Sequence, residues 1–313
     1  MILRINRART PVAAAHPLLY LPVMNKLLAL GLSLPLLACV IGSGTDTSDP
    51  DQGGGGGGGG TGGGGGTGGG SGSNSTDHIT ASTTWTSTMD VAKAVTVDPG
   101  VTLTIAAGTT VKFGPAGSIV VKGIVDAQGT KAQVVTLAPS VAGAFYPGLT
   151  VPAGGQLKMA YVVQTGGELD VTGGTLTVIN TRMSNAMHDL LVVSAGTVDM
   201  SYSAIGLEPG SGTDSTHCDM HFGGVGTTIK VTHSNISTSS YGLMLYGGSN
   251  LDLTFNNWFN NPIQIDTNAG ASGDIRNGWF DKGAPTAGGG ATLTYDYQNP
   301  VAARLPATMA GPQ

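Results

Sequence analysis

The stretch Leu176-Thr-Val-Ile-Asn180 is one of five copies of a short pattern that recurs between residues 157 and 259. Apolar residues stand at its first and third positions, and an aromatic or polar residue stands at its fifth. Four copies have a further apolar residue seven positions after the first, where the first copy has Gln164. The other copies begin at Leu157, Val198, Ile229 and Leu251, so the starts are spaced by 19, 22, 31 and 22 residues.

Alternation with a period of two residues is typical of a β-strand. A strand that returns at intervals of this size indicates a solenoid, in which each coil buries its apolar face on the next. We therefore predict an all-β parallel β-helix over residues 76–300, with about ten coils of ~22 residues and a C-terminal tail at 301–313. The first, third and fifth positions of the pattern are all predicted to point inward, which places His233 in the core between Tyr202 and Phe255.

The composition limits the possible partners. Charged residues make up only 11% of the chain, glycine accounts for 52 of 313 residues, and the formal net charge is −5. No basic patch is present that could neutralise phosphates, so a nucleic-acid partner is not expected.

The N-terminal region reads as an export signal. A charged start at Lys26 precedes a short apolar run from Leu27 to Leu37, which is too short to span a bilayer and has the form of a signal peptide. The sequence Leu36-Leu-Ala-Cys39 resembles the lipobox of bacterial lipoproteins. Residues 1–38 are expected to be upstream sequence and signal peptide, with the true start at Met24; the other interpretation of residues 1–23 is a long n-region. The lipobox resemblance implies cleavage before Cys39, lipidation of Cys39 and a membrane anchor, and Val40 after the cysteine favours the outer membrane of a Gram-negative cell. The alternative is a buried apolar helix with an incidental cysteine.

Residues 39–75 follow as a glycine-rich segment, with uninterrupted glycine at 53–60 and 62–66. Such a segment cannot bury apolar area, so we predict a disordered, flexible tether between the lipid anchor and the folded part. From residue 39 onward, ten basic residues stand against nineteen acidic ones, a net charge of −9 that gives no attraction to anionic membranes.

The first coils carry a more specific resemblance. Residues 95–113 read Val-Thr-Val-Asp-Pro-Gly-Val-Thr-Leu-Thr-Ile-Ala-Ala-Gly-Thr-Thr-Val-Lys-Phe, and Gly123-Ile-Val-Asp-Ala-Gln-Gly-Thr130 follows. These segments resemble the opening coils of bacterial right-handed β-helix proteins of the pectin-lyase-like type, with Ala107 where proline is usual. The resemblance covers residues 79–140 and implies a right-handed β-helix. It is weak for function, because one fold carries many activities.

One outward column of the solenoid is charged. Between the two apolar positions the five copies carry Lys158, Thr177, Asp199, Lys230 and Asp252. We interpret Lys158, Asp199, Lys230 and Asp252 as a candidate ligand-binding face for an acidic polymer. The alternative is that the opposite charges pair across neighbouring strands, which stabilises a sheet by only a few tenths of a kcal/mol per contact.

The 31-residue spacing marks an insertion of about nine residues within 207–222, and insertions in solenoids often carry function. This segment contains four residues of metal-ligating types: His217, Cys218, Asp219 and His221. If Cys218, Met220 and Phe222 face inward, then His217, Asp219 and His221 share the outer face and form a candidate zinc site. If Phe222-Gly-Gly is aligned with Tyr246-Gly-Gly instead, Asp219 and His221 point inward. A hydrogen-bonded polar coil with a free buried cysteine is the alternative to metal.

No catalytic residue is assigned from the sequence. Each acid of the charged column has a basic neighbour, and the adjacent outward positions are uncharged, so a clustered catalytic set is not evident. We therefore expect a surface-tethered cell-envelope lipoprotein that acts as a structural or binding module, with polysaccharide as the candidate ligand. The alternative is a polysaccharide lyase or glycoside hydrolase of the β-helix type.

Overall fold

The computed structural model describes residues 77–208, 210–247, 250–268 and 270–313. Every strand pairing among them is parallel, and each coil contributes up to three strands. Strands at equivalent positions of successive coils stack into three faces. Faces 1 and 2 together form a 17-stranded sheet, and face 3 is a separate 9-stranded sheet.

The strands follow one another in chain order around the solenoid. Face 1 contains β1 (His78–Ile79), β4 (Ala94–Val97), β7 (Ser118–Val121), β10 (Tyr146–Val151), the first parts of β13 (Gly167–Ile179) and β15 (Asp189–Ser201), β17 (Cys218–Phe222), β20 (Tyr241–Leu245) and β23 (Ile263–Thr267). Face 2 contains β2 (Thr83–Trp85), β5 (Thr102–Ala106), β8 (Ile124–Gln128), β11 (Gln156–Ala160), the second parts of β13 and β15, β18 (Thr228–Thr232), β21 (Asn250–Asp252), β24 (Ser272–Asp274) and β26 (Thr292–Thr294). Face 3 contains β3 (Met89–Val91), β6 (Thr110–Phe113), β9 (Val135–Pro139), β12 (Val162–Thr165), β14 (Arg182–Ser184), β16 (Ala204–Ile205), β19 (Asn235–Ser237), β22 (Asn257–Phe259) and β25 (Trp279–Phe280).

The predicted β-solenoid of about ten turns is thereby confirmed: within the described ranges, nine coils supply all three faces and β26 begins a tenth. The five sequence copies lie in register on face 2, and their first and third positions are no more than 2% exposed. The position seven residues later lies on face 3 and is fully buried in Gln164, Met183, Ile205, Ile236 and Trp258. Stacked apolar columns therefore form one continuous core along the axis.

The fifth position was predicted to point inward, and that prediction is wrong. Tyr161, Asn180, Tyr202, His233 and Phe255 all have left-handed backbone angles, with φ between 48° and 60°. This conformation turns the chain from face 2 to face 3, so the strand alternation ends before it and the side chains stay half-exposed. The expected aromatic neighbours are present, since the His233 ring stacks between Tyr202 and Phe255 at centroid distances of 4.9 and 4.8 Å.

At four of these five corners the next residue is a buried polar side chain, namely Thr181, Ser203, Ser234 or Asn256, whereas Val162 follows Tyr161. The backbone N–H of Val162 donates to Thr181 Oγ1, that of Thr181 to Ser203 Oγ, and that of Ser203 to Ser234 Oγ, at 3.1–3.3 Å. The N–H of Ser234 donates to Asn256 Oδ1 at 2.8 Å. These hydrogen bonds from coil to coil satisfy backbone N–H groups that the turn would otherwise leave buried without an acceptor.

The C-terminal tail returns along face 3. The Leu305 N–H donates to Asn257 Oδ1 at 2.8 Å, and the Gly311 N–H donates to the His233 carbonyl at 2.8 Å. Arg304 lies over the Phe259 ring at 4.0 Å and forms an ion pair with Glu208. The tail therefore covers corners of several coils.

Candidate functional site

Three histidines surround one carboxylate on the outside of face 1. Asp189 opens β15, His188 immediately precedes it, and His217 and His221 belong to the next coil, just before β17 and within it. These four residues are called the histidine cluster below. Asp189 pairs with Cys218 in the parallel register, which sets His188 beside His217, and the His217 N–H donates to the His188 carbonyl at 2.7 Å.

The distances within the histidine cluster are those of direct contacts. Oδ1 of Asp189 lies 3.1 Å from Nδ1 of His188 and 3.1 Å from Nδ1 of His217. Its Oδ2 lies 2.9 Å from Nδ1 of His221. The Asp189 side chain is only 6% exposed, whereas those of His188 and His217 are 58% and 43% exposed. The carboxylate is therefore enclosed by the imidazoles, and two of these open to solvent.

The charges of the histidine cluster favour an ionised Asp189. Burial acts to raise the pKa of this carboxyl, but hydrogen bonds from His221 and His217 and the positive charge of His188 outweigh it, so the pKa lies below its ordinary value. Glu168, on the preceding coil, behaves in the opposite way. Burial, followed by the like charges of Asp170 and Asp189, raises the pKa of Glu168 from 4.5 to about 7.

A cavity of about 370 Å³ opens beside the histidine cluster. Glu168 and His188 reach it from two successive coils. Met187, 76% exposed, supplies an apolar rim. The other lining residues are Pro115, Phe145, Tyr146 and Pro147. The cavity thus combines apolar walls with one carboxyl and one imidazole, which is the composition common in small-ligand sites.

Of the predicted metal set His217, Asp219 and His221, the structure brings together only the two histidines. Cys218, Met220 and Phe222 fill the core, as the first of the two alignments requires. Asp219 is nevertheless fully buried and does not share the outer face with the histidines. Its Oδ2 accepts a hydrogen bond from Asn261 Nδ2 at 2.9 Å, and burial raises its pKa well above the ordinary value.

Asp219 leaves the outer face because face 1 is irregular at this position. The pairing register of β17 passes from Cys218 directly to Met220 on both neighbouring strands, so Asp219 has no regular partner. Its place beside the histidines is taken by Asp189 of the preceding coil. Cys218 takes no part in the histidine cluster, since its thiol is buried, donates to the Met220 carbonyl, and has a pKa raised by burial.

The charged column of face 2 has the predicted register. Lys158 pairs with Thr177, Thr177 with Asp199, Asp199 with Lys230, and Lys230 with Asp252. The column continues in both directions, because Asp126 pairs with Lys158 and Asp274 pairs with Asp252. The acidic residues Asp126 and Asp274 were not recognised as members from the sequence.

The side chains of this column do not neutralise one another. Among the ion pairs of the described residues, none within 4.0 Å includes Lys158, Asp199, Lys230 or Asp252. Asp252 Oδ1 instead accepts hydrogen bonds from the N–H and hydroxyl of Thr254 at 3.2 and 2.7 Å. The alternative explanation, a ladder of cross-strand ion pairs, therefore has no contact to support it.

Sequence reasoning missed Asp189, His188 and Glu168 as site residues. The insertion changes the spacing between these two coils, and this hid the register that brings His188-Asp189 next to His217. That insertion is the loop between β16 and β17, and Asp214 anchors it by accepting a hydrogen bond from the N–H of Asn185 at 3.1 Å. The sequence did contain a signal for this site. Aligning Asp189-Leu-Leu with Cys218-Asp-Met places His188 next to His217.

Cys39, Met24 and the glycine-rich segment 39–75 lie outside the described residues, so the predicted lipid anchor and tether remain predictions. In the part of the chain that is described, no helix has the length and apolar character needed to cross a membrane.

Comparison of the chain with protein-family models, curated proteins and solved structures found no match.

Proposed function

We propose that this chain is a surface-tethered cell-envelope lipoprotein of a Gram-negative bacterium, and that its β-solenoid is a structural or binding module for polysaccharide. The observation that carries the proposal is the charged column of face 2, where Lys158, Asp199, Lys230 and Asp252 form no ion pair within 4.0 Å among the described residues. Lys158 and Lys230 are exposed to solvent on a sheet whose coils are ~4.8 Å apart. A polymer lying along the axis would meet a donor or an acceptor on successive coils.

Mixed charges suit such a ligand. Sugar hydroxyls both donate and accept hydrogen bonds, so they can contact lysine and aspartate alike, whereas sugar carboxylates pair with Lys158 and Lys230. Single exposed contacts of this kind are weak, at about 1 kcal/mol or less. Repetition along a polymer raises the overall affinity, because each further contact forms at a high effective concentration.

Attachment to the outer membrane or cell surface is supported by the sequence alone. The lipobox ending at Cys39 and the tether that follows are arranged to hold a folded part away from a lipid surface. A module for extracellular polymer would work in that position.

Affinity electrophoresis of the full chain tests the binding proposal. Native gels would contain acidic or neutral polysaccharides, and the double variant Lys158→Ala/Lys230→Ala would be compared with Lys93→Ala/Lys112→Ala. The control removes two exposed lysines that lie outside face 2. We expect an acidic polysaccharide to retard the wild type and the control but not the face 2 variant. Equal retardation of all three, or no retardation by any polymer, would contradict the proposal.

One observation favours a second candidate, a polysaccharide lyase or glycoside hydrolase of the β-helix type. Glu168 lines the cavity with His188 and is half-protonated near neutral pH, while Asp189 behind them stays ionised. Two carboxyls with opposite pKa shifts are the pattern of an acid and a base in one site. The pectin-lyase-like resemblance of residues 79–140 points the same way. This candidate requires polymer cleavage that Glu168→Gln abolishes.

A further inference from the structure

We propose that His188, Asp189 and His217 bind a divalent transition metal ion, with Zn²⁺ as the ion best suited to them, and that His221 orients the carboxylate. This goes beyond the proposed polysaccharide binding, which rests on face 2. The donors offered are two imidazole nitrogens and one carboxylate oxygen, and they lie within 4.8 Å of one another.

The distances match a coordination shell. Zinc binds histidine nitrogen and carboxylate oxygen at about 2.0–2.2 Å, so two ligand atoms of a tetrahedral site lie roughly 3.3–3.5 Å apart. Oδ1 of Asp189 is 3.1 Å from Nδ1 of His188 and 3.1 Å from Nδ1 of His217. Small rotations of the two exposed imidazoles would therefore suffice to admit an ion between the three atoms.

The surroundings support the ligands in the way that metal sites require. Oδ2 of Asp189, the oxygen that does not face the two ligand histidines, lies 2.9 Å from Nδ1 of His221. Such an outer contact fixes the orientation of a ligating carboxylate. His221 is itself held within β17 and packs edge-on against the Tyr246 ring at 5.3 Å. The carboxylate is thus fixed before any ion arrives.

The backbone places the ligands on rigid elements. Asp189 begins β15, and the His217 N–H donates to the His188 carbonyl across the coil boundary. The rings of His188 and His217 lie 5.0 Å apart, and Tyr241 covers the other side of His217 at 5.2 Å. Both ligand histidines are open to solvent, so water or an oxygen of a bound ligand could complete the shell.

The donor types select the class of ion. Calcium and magnesium prefer sites made wholly of oxygen, whereas two imidazoles with one carboxylate suit zinc and its neighbours in the transition series. A zinc ion would bind each imidazole through a ring nitrogen that carries no proton.

Calorimetric titration of the metal-free full chain with ZnCl₂ tests the proposal. We expect the wild type to take up zinc at this site and His188→Ala/His217→Ala to lose at least about tenfold in affinity, with His221→Gln intermediate. His78→Ala is the matched control, because His78 lies 2.7 Å from Asp98 as an isolated imidazole–carboxylate pair. The control should bind zinc as tightly as the wild type.

Cobalt gives a second readout that a folding defect cannot imitate. Co²⁺ in the site would show visible absorption from its nitrogen and oxygen ligands, which the double variant should lack while keeping the β-sheet circular dichroism of the wild type. Absence of zinc uptake by the wild type, or unchanged zinc affinity in the folded double variant, would overturn the proposal. Either result leaves polysaccharide binding on face 2 to be judged by its own gel assay.

Discussion

Replacing Leu176 with alanine should destabilise the solenoid by about 3–4 kcal/mol, in the middle of the range for buried leucines. Leu176 is fully buried on face 2, in register between Leu157 and Val198. Backbone hydrogen bonds hold the neighbouring coils on both sides, for example from the Thr175 N–H to the Gly155 carbonyl at 3.0 Å. The surrounding coils therefore cannot collapse into the space that the leucine leaves, and most of the cavity persists.

The adjacent residue provides the control. Thr177 is exposed and points out of the same strand, so Thr177→Ala should change the free energy of unfolding by no more than about 0.5 kcal/mol. A register shifted by one residue would exchange the two effects, because every side chain would change faces. The pair of variants thus tests the register as well as the packing.

Urea unfolding followed by tryptophan fluorescence measures both variants. Trp85 reports on the first coil, and Trp258 and Trp279 report on the eighth and ninth. A solenoid is stabilised mainly between neighbouring coils, so Leu176→Ala is also expected to separate the transitions at the two ends. Equal destabilisation by the two variants, or a larger effect of Thr177→Ala, would refute the stacking described for face 2.

Three further predictions concern other parts of the chain. Glu168 has a folded-state pKa of about 7 against an ordinary 4.5, so its contribution to stability is present at low pH and is lost as the pH rises through about 7. The Tm of Glu168→Gln should therefore rise relative to that of the wild type as the pH increases from 4.5 to about 7. A difference in Tm that does not depend on pH would contradict this. Arg304→Ala removes the contacts with Phe259 and Glu208, worth about 1 kcal/mol together, so hydrogen exchange at the tail amides of Leu305 and Gly311 should quicken about fivefold; unchanged exchange would show that the tail is held elsewhere. Cys39→Ala should abolish labelling by a palmitate analogue in cells, and continued labelling would exclude the lipobox.

The fold could be predicted because every coil of the solenoid repeats the same alternation of buried and exposed residues. Alternation of buried and exposed residues within a strand appears directly in sequence, and Leu157, Leu176 and Val198 are stacked as their spacing indicated. The corner residues could not be placed by the same rule. A left-handed residue such as Tyr202 reverses the side-chain direction, and an alternation rule contains no information on φ.

The histidine cluster was predicted only in part, for a different reason. Its members come from two coils whose separation in sequence is changed by the insertion, so spacing alone did not bring Asp189 to His217. The displacement of Asp219 into the core accompanies a gap in the strand pairing of face 1 at this residue, together with a buried partner, Asn261, that lies 42 residues away. Contacts between residues so far apart in sequence arise from the stacking of the coils, and the local sequence pattern does not indicate them.

The most direct test of the binding account is to incubate the full chain with the acidic polysaccharide that retards it most strongly and to measure both retention and product. Reducing ends and unsaturated sugars would be assayed with calcium and zinc present. The account predicts that the polymer is retained through Lys158 and Lys230 and that its chain length stays unchanged. Release of either product, abolished by Glu168→Gln, would contradict it and would make the cavity beside Asp189 an active site.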